Sequence, residues 1–245
     1  MLSHALRLPT IYAVVALVAA IGCGARDDLP AGGRSRSTLE TLAVEKTPPA
    51  DRSSRSPAAG ARPRIVVLGD SLTAGLGLSP DEAYPALLQQ RLAADGLNHE
   101  VVNAGVSGDT SAGGLARLDW ALEGNVRLLI VALGANDGLR GLPAEQLKRN
   151  LSQIIERAQA RGITVVLAGM EAPPNWGRAY LVGFHLVYPA LAQKYRVALV
   201  PFLLEGVAGR EALNQPDLLH PNPEGTRIVA DNVWAVLKPI VEGQP

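Results

Sequence analysis

Cysteine is nearly absent from this chain. Of 245 residues only Cys23 is one, so no intrachain disulfide can form and no zinc site can be built from cysteine pairs. Histidine pairing is missing as well: His4, His99, His185 and His220 are scattered, with no HxxxH or HxH spacing. No metal site is expected on that ground, although the spacing does not address sites made of carboxylates alone. Neither sign of charge is in excess, since Lys+Arg and Asp+Glu both total 23. Nucleic-acid binding, which needs a clustered basic surface, is therefore not expected. The apolar run Ile11–Ile21 falls short of the roughly 20 residues that a membrane-spanning helix needs. What is present, 47% hydrophobic and 19% charged residues, fits one globular domain with extra segments.

The extra segments come first. Residues 1–22 carry Arg7, the apolar run and then small residues, the pattern of a secretory signal peptide. The run ends Ala20-Ile21-Gly22-Cys23, which resembles a bacterial lipobox with Cys23 as the lipidated residue, although alanine stands where leucine is commoner. An ordinary signal peptide with a chance cysteine and an uncleaved anchor are the alternatives. Export to the periplasm is expected, with membrane contact only through an N-terminal lipid on Cys23. Residues 23–62, rich in Arg, Ser, Ala, Pro and Gly, hold too little apolar surface to offset the entropy of ordering and read as a disordered tether, or as a spacer without function. A folded domain over 63–245, acting as a monomer, is expected to follow.

Within that domain apolar strands alternate with amphipathic helices. Short apolar runs at Ile65–Leu68, Glu100–Asn103, Leu128–Ala132, Ile163–Ala168 and Val197–Val200 predict five strands. Helical spacing predicts helices over Tyr84–Asp95, Leu115–Leu122, Ala144–Arg161, Tyr180–Tyr195 and Pro223–Leu237, the third with an inner stripe of Leu147, Leu151, Ile154, Ile155 and Ala158. This order implies a three-layer α/β/α sandwich around a mainly parallel five-stranded sheet. Ligands of such sheets sit beyond the carboxyl ends of the strands, so the residues just after each strand are the ones to inspect.

Four such segments carry chemistry. Gly69-Asp70-Ser71 follows the first strand and can present a serine hydroxyl beside free backbone N–H groups, unless Ser71 is only a helix N-cap. Ser107-Gly108-Asp109-Thr110 follows the second strand. Gly108 could offer an unhindered N–H there, or the segment is a flexible loop in which Asp109 or Thr110 caps a helix. Asn136 follows the third strand and can donate a side-chain N–H into the same crevice, or belong to an Asn-Asp-Gly turn. Asp217 stands three residues before His220, where a carboxylate can orient an imidazole whose other nitrogen takes a proton from serine.

Together the four blocks resemble the SGNH (GDSL) hydrolase family over about residues 64–240, with Ser71, Gly108, Asn136 and His220 as the four name-giving residues. The stretches VVNAGVSGDTSAGGLARL and ALGANDGLRGLP, with AYPALL, YPALAQKY and HPNPEG, are most similar to the bacterial thioesterase I/lysophospholipase/arylesterase subgroup. Ala135 stands where a glycine is often found before the asparagine. The resemblance implies a serine ester hydrolase with Ser71, Asp217 and His220 as triad. It implies an oxyanion hole from Ser71, Gly108 and Asn136, an acyl ester or thioester as substrate, and no cofactor. It also places one wall of an acyl groove at the glycine-flanked loop Leu139–Pro143, including Leu142, and the other at Pro173–Tyr180, including Pro173 and Trp176, unless Trp176 is ordinary packing. His185 is expected to face core or solvent. A carbohydrate O-deacetylase of the same family and a non-catalytic surface-binding module are the other functions to weigh.

Overall fold

The computed structural model describes residues 62–243; the expected signal peptide, Cys23 and the tether up to residue 61 lie outside the described residues. Five strands form one sheet: β1 (Arg64–Gly69), β2 (Glu100–Gly105), β3 (Val126–Ala132), β4 (Thr164–Ala168) and β5 (Ala198–Val200). All pairings are parallel and the order is β2-β1-β3-β4-β5. The chain therefore steps outward from β1 to β2 and then returns to the other side of β1. Between β1 and β3 the winding direction reverses, which opens a crevice at the carboxyl edge. The inner strands are buried on both faces along nearly all their length, as continuous apolar runs such as Ile65–Leu68 require.

The helices are α1 (Ser71–Ala74), α2 (Tyr84–Ala94), α3 (Ser111–Ala116), α4 (Leu118–Ala121), α5 (Ala135–Leu139), α6 (Ala144–Gln159), α7 (Arg178–His185), α8 (Val187–Tyr195) and α9 (Pro223–Val241). α2 packs with α9, while α3 and α8 pack with α6, so the sheet is flanked by two helical layers. The predicted stripe of α6 is its buried face: Leu147, Leu151, Ile154, Ile155 and Ala158 are all fully buried. Two buried tyrosines tie these layers to the carboxyl edge through their hydroxyls. Tyr84 shares a hydrogen bond of 2.7 Å with Thr73 of α1, and Tyr188 donates to the Leu133 carbonyl just after β3 at 3.0 Å.

Three expected helices differ in extent. The segment predicted as Leu115–Leu122 starts earlier, at Ser111, where the Thr110 side chain caps it, and it breaks at Arg117. Tyr180–Tyr195 is two helices with Leu186 between them. Pro189 explains that break, because its ring has no N–H for the carbonyl four residues earlier and collides with it. α9 instead runs through Pro239 to Val241; so close to the helix end the missing N–H interrupts little.

Asp70 is the least expected buried group. It is 1% exposed and is the N-cap of α1, its Oδ1 accepting the Leu72 N–H at 3.0 Å. Burial raises its carboxyl from the usual 3.8 to about 6, partly opposed by the hydrogen bonds from Leu72 and Asn136 and by the charge of His220. A carboxyl raised on folding contributes stability that is fully present below its unfolded pKa and is lost as pH rises through the folded one. Relative to Asp70→Asn, which keeps a capping oxygen, the natural protein should lose on the order of 3 kcal/mol of stability between roughly pH 4 and pH 7. Urea unfolding of both proteins across that range measures the difference; parallel curves would mean that Asp70 ionises without penalty.

Candidate active site

Ser71 occupies the first turn of α1, directly beyond β1, with Asp70 rather than Ser71 as the cap. Gly69 permits this sharp entry: a Cβ there would lie 1.9 Å from Thr73 Oγ1 and 2.9 Å from the Ala132 carbonyl oxygen. Ser71 is 9% exposed, and its Oγ lies 2.8 Å from His220 Nε2. On the other side of the ring, His220 Nδ1 lies 2.6 Å from Asp217 Oδ2. Hydroxyl, imidazole and carboxylate thus form one continuous chain, able to move a proton from oxygen to nitrogen while the carboxylate balances the charge.

The Asp217–His220 loop is built for this contact. Asp217 Oδ1 accepts the N–H groups of both Leu219 and His220 at 3.0 Å. The contact with the His220 ring, followed by these two N–H groups, pulls the Asp217 carboxyl from 3.8 down to about 2. To wrap so tightly the chain puts Leu218 in the left-handed region at φ 60°, a strain on the order of 1 kcal/mol for a residue with a Cβ. Asn214 and Pro221 form an antiparallel bridge at the base of the loop, and the Gln215 N–H donates to the His220 carbonyl at 2.7 Å. The Gln215 side chain donates to the carbonyls of Leu76 at 2.7 Å and Pro221 at 3.0 Å, which joins the histidine loop to the segment following α1. No motif announces Gln215.

Ser71, Gly108 and Asn136 border one crevice. The backbone N–H groups of Ser71 and Gly108 donate to no acceptor among the described residues. Gly108 has φ 84°, a conformation that favours glycine, and its carbonyl accepts from Arg140 Nη2 at 2.9 Å. The Asn136 amide donates to the Asp109 carbonyl at 3.0 Å and reaches Asp70 Oδ2 at 3.4 Å. Asn136 lies in α5, a short helix that sequence periodicity is too brief to reveal. Its neighbour Asp137 is fully buried and accepts from the N–H of Ser111 at 2.8 Å and from its hydroxyl at 2.6 Å. Burial raises the Asp137 carboxyl, and the two Ser111 hydrogen bonds oppose this.

A crevice of about 500 Å³ opens over these groups, a volume suited to a small ligand. Ser71, Gly108, Asn136 and His220 border it, with Leu139 on one side and Pro173 on another. Leu142, Pro143 and Trp176, expected as groove walls, do not border it. The Leu142 carbonyl accepts the Tyr180 hydroxyl at 2.8 Å, and Pro143 is the exposed N-cap residue of α6. Trp176 packs on Gly141 and, at 6.2 Å between ring centroids, on Tyr180. The apolar walls come instead from Leu72 and Leu76, from Met170 after β4, from Phe202 and Leu204 after β5, and from Leu218 and Leu219 within the histidine loop. Phe202 and Leu204 carry the same positional signal as Ser71, Gly108 and Asn136, since they stand just after the end of a strand. His185 is exposed and lies 2.6 Å from Glu171, a wall residue. Among the described residues no three His, Cys, Asp or Glu side chains gather so as to hold a metal ion.

Residues 67–228 match the GDSL-like Lipase/Acylhydrolase family. The chain is 47% identical over 178 residues to Esterase TesA of Pseudomonas aeruginosa, covering 72% of this chain and 89% of that protein. It is 40% identical over 179 residues to an arylesterase of Vibrio mimicus, covering 73% and 90%. A crystal structure of TesA superposes with a TM-score of 0.70 at 47% identity, covering 72% of this chain and 99% of the other. With its serine, imidazole and carboxylate in one line at the carboxyl edge of the sheet, this chain belongs to the GDSL-like lipase/acylhydrolase family and is a carboxylic ester hydrolase.

Proposed function

We propose that Ser71 is the nucleophile of a two-step acyl transfer, with His220 as general base and acid and Asp217 as its orienting carboxylate. The observation that carries the reading is the 2.8 Å contact from His220 Nε2 to Ser71 Oγ, made while Nδ1 is held by Asp217. Nε2 takes the hydroxyl proton as Oγ bonds to the ester carbonyl carbon, and the carbonyl electron pair moves onto oxygen. The N–H groups of Ser71 and Gly108 and the Asn136 amide receive that oxyanion. The intermediate collapses, the leaving alcohol or thiol departs with the proton from Nε2, and an acyl ester remains on Ser71. Water then repeats the attack, Nε2 again relaying the proton, and releases the acid and free Ser71. Asp217, held near 2, stays ionised at neutral pH.

The substrate reading follows from the walls. Leucine, methionine and phenylalanine side chains border the crevice, which suits an acyl chain better than a polyhydroxylated sugar. Relatives bear the names esterase, arylesterase and, in Escherichia coli at 39% identity over 184 residues, thioesterase 1/protease 1/lysophospholipase L1. Acyl esters of aryl alcohols or lysophospholipids are the proposed substrates here, with thioesters as further reactive compounds. Export with Cys23 as a lipidated N-terminus belongs to the same proposal, supported by the apolar run and the small residue before the cysteine.

Ser71→Ala should abolish hydrolysis of p-nitrophenyl butyrate without changing the circular dichroism spectrum, and turnover at the natural rate would reject the nucleophile. Asn136→Ala should lower kcat by about 10²–10³-fold in the same assay. Mass spectrometry of protein isolated from the cell envelope should find a diacylglyceryl-modified Cys23 at the mature N-terminus; an unmodified Cys23 inside a longer peptide would count against lipidation.

A further inference from the structure

Arg117 makes three hydrogen bonds to segments that lead into the site. Its Nε donates to Asp109 Oδ2 at 2.6 Å, Nη1 to the Ala104 carbonyl at 2.7 Å and Nη2 to the Gly69 carbonyl at 2.8 Å. Both charged side chains are largely buried, at 18% and 19% exposure. Gly69 closes β1 two residues before Ser71, and Ala104 lies in the last turn of pleat of β2, four residues before Gly108. Asp109 follows Gly108 directly, and its carbonyl accepts the Asn136 amide at 3.0 Å. One guanidinium therefore holds the ends of two strands, and the backbone carbonyl of its partner Asp109 holds the carboxamide that follows a third.

We propose that Arg117 and Asp109 are positioning residues that set the mutual spacing of the three oxyanion donors. The inference rests on the assignment of Ser71, Gly108 and Asn136 as those donors. Neither residue borders the crevice or touches the reacting atoms. Their effect runs through Gly69 to the Ser71 N–H, through the Asp109 backbone to the Gly108 N–H, and through the Asp109 carbonyl to Asn136. Donors aimed at a charge that exists only in the transition state must hold their place to within a fraction of an ångström. A planar guanidinium with N–H groups in fixed directions can hold three acceptors at once, whereas an ammonium is a single rotating point charge. Arg117 also neutralises the Asp109 carboxylate, which unpaired would oppose an anion forming nearby.

The test uses the full chain with Arg117→Lys, Arg117→Met, Asp109→Asn and Ser71→Ala. For the natural protein and the Arg117 and Asp109 variants, kcat and KM on p-nitrophenyl butyrate are measured per active site, titrated with a fluorophosphonate, beside the inhibition constant of an alkylboronic acid that forms a tetrahedral adduct on serine; Ser71→Ala is assayed for turnover per mole of protein. Arg117→Lys should lower kcat about tenfold or more, leave KM within about threefold, and weaken the boronic acid by the same factor as kcat. Asp109→Asn should move kcat and boronic acid affinity in the same direction by less. A merely structural role would reduce the titratable fraction and leave kcat per active site intact, and that result overturns the inference. Arg117→Lys carries the test if Arg117→Met does not fold. An inactive Ser71→Ala beside an unchanged Arg117→Lys defeats this inference alone, whereas an active Ser71→Ala defeats the assignment of the site.

Discussion

The hydrogen bond between Ser71 and His220 joins residues 149 positions apart, and much of the carboxyl edge is arranged to make it. One end is fixed by β1 and the short α1, packed so closely that Gly69 has no room for a side chain. The other end is fixed by a loop wound around the Asp217 carboxylate, bridged at Asn214 and Pro221 and clasped to the serine side by Gln215. Reacting groups displaced by about 1 Å can lose two orders of magnitude in rate, so this scaffolding is part of the chemistry. The left-handed Leu218 is strain accepted to make the loop tight enough.

Besides Glu171 in the crevice wall, which pairs with His185, four aspartates belong to the segments that build the site, and their surroundings differ. Asp217 is exposed and held near 2 by the histidine and two backbone N–H groups, so it is an anion. Asp70 is buried and raised to about 6, toward its neutral form, and it touches Asn136. Asp137 is buried against Ser111, where it joins α5 to the start of α3. Asp109 is paired with Arg117. A developing oxyanion would be repelled by unpartnered negative charge, and apart from Asp217, which faces the imidazole, each carboxylate is either shielded by a partner or disposed toward its neutral form.

The division of labour follows the architecture. Segments after β1, β2 and β3 bring the serine and the N–H donors, at the place where the winding of the sheet reverses. Segments after β4 and β5 and the two leucines inside the histidine loop bring further apolar walls, beside Leu72 and Leu76 after β1 and Leu139 after β3. Substrate preference can therefore vary through residues such as Met170, Phe202 and Leu204 without disturbing the groups that would handle the proton and the charge.

Much of this was legible in the residues alone. Strands buried on both faces are continuous apolar runs, α6 shows its buried stripe at helical spacing, and Ser71, Gly108, Asn136 and the Asp217–His220 pair each follow a strand or precede a helix. Such signals are local and read from short windows. Tertiary structure alone decided that Leu142, Pro143 and Trp176 stand away from the crevice while Phe202 and Leu218 border it. It alone decided that Asp70 is buried and that Gln215 and Arg117 reach carbonyls 139 and 48 residues away. Those outcomes depend on which backbone oxygens come within about 3 Å of a side chain once distant segments are packed, a distance that no spacing along the chain encodes.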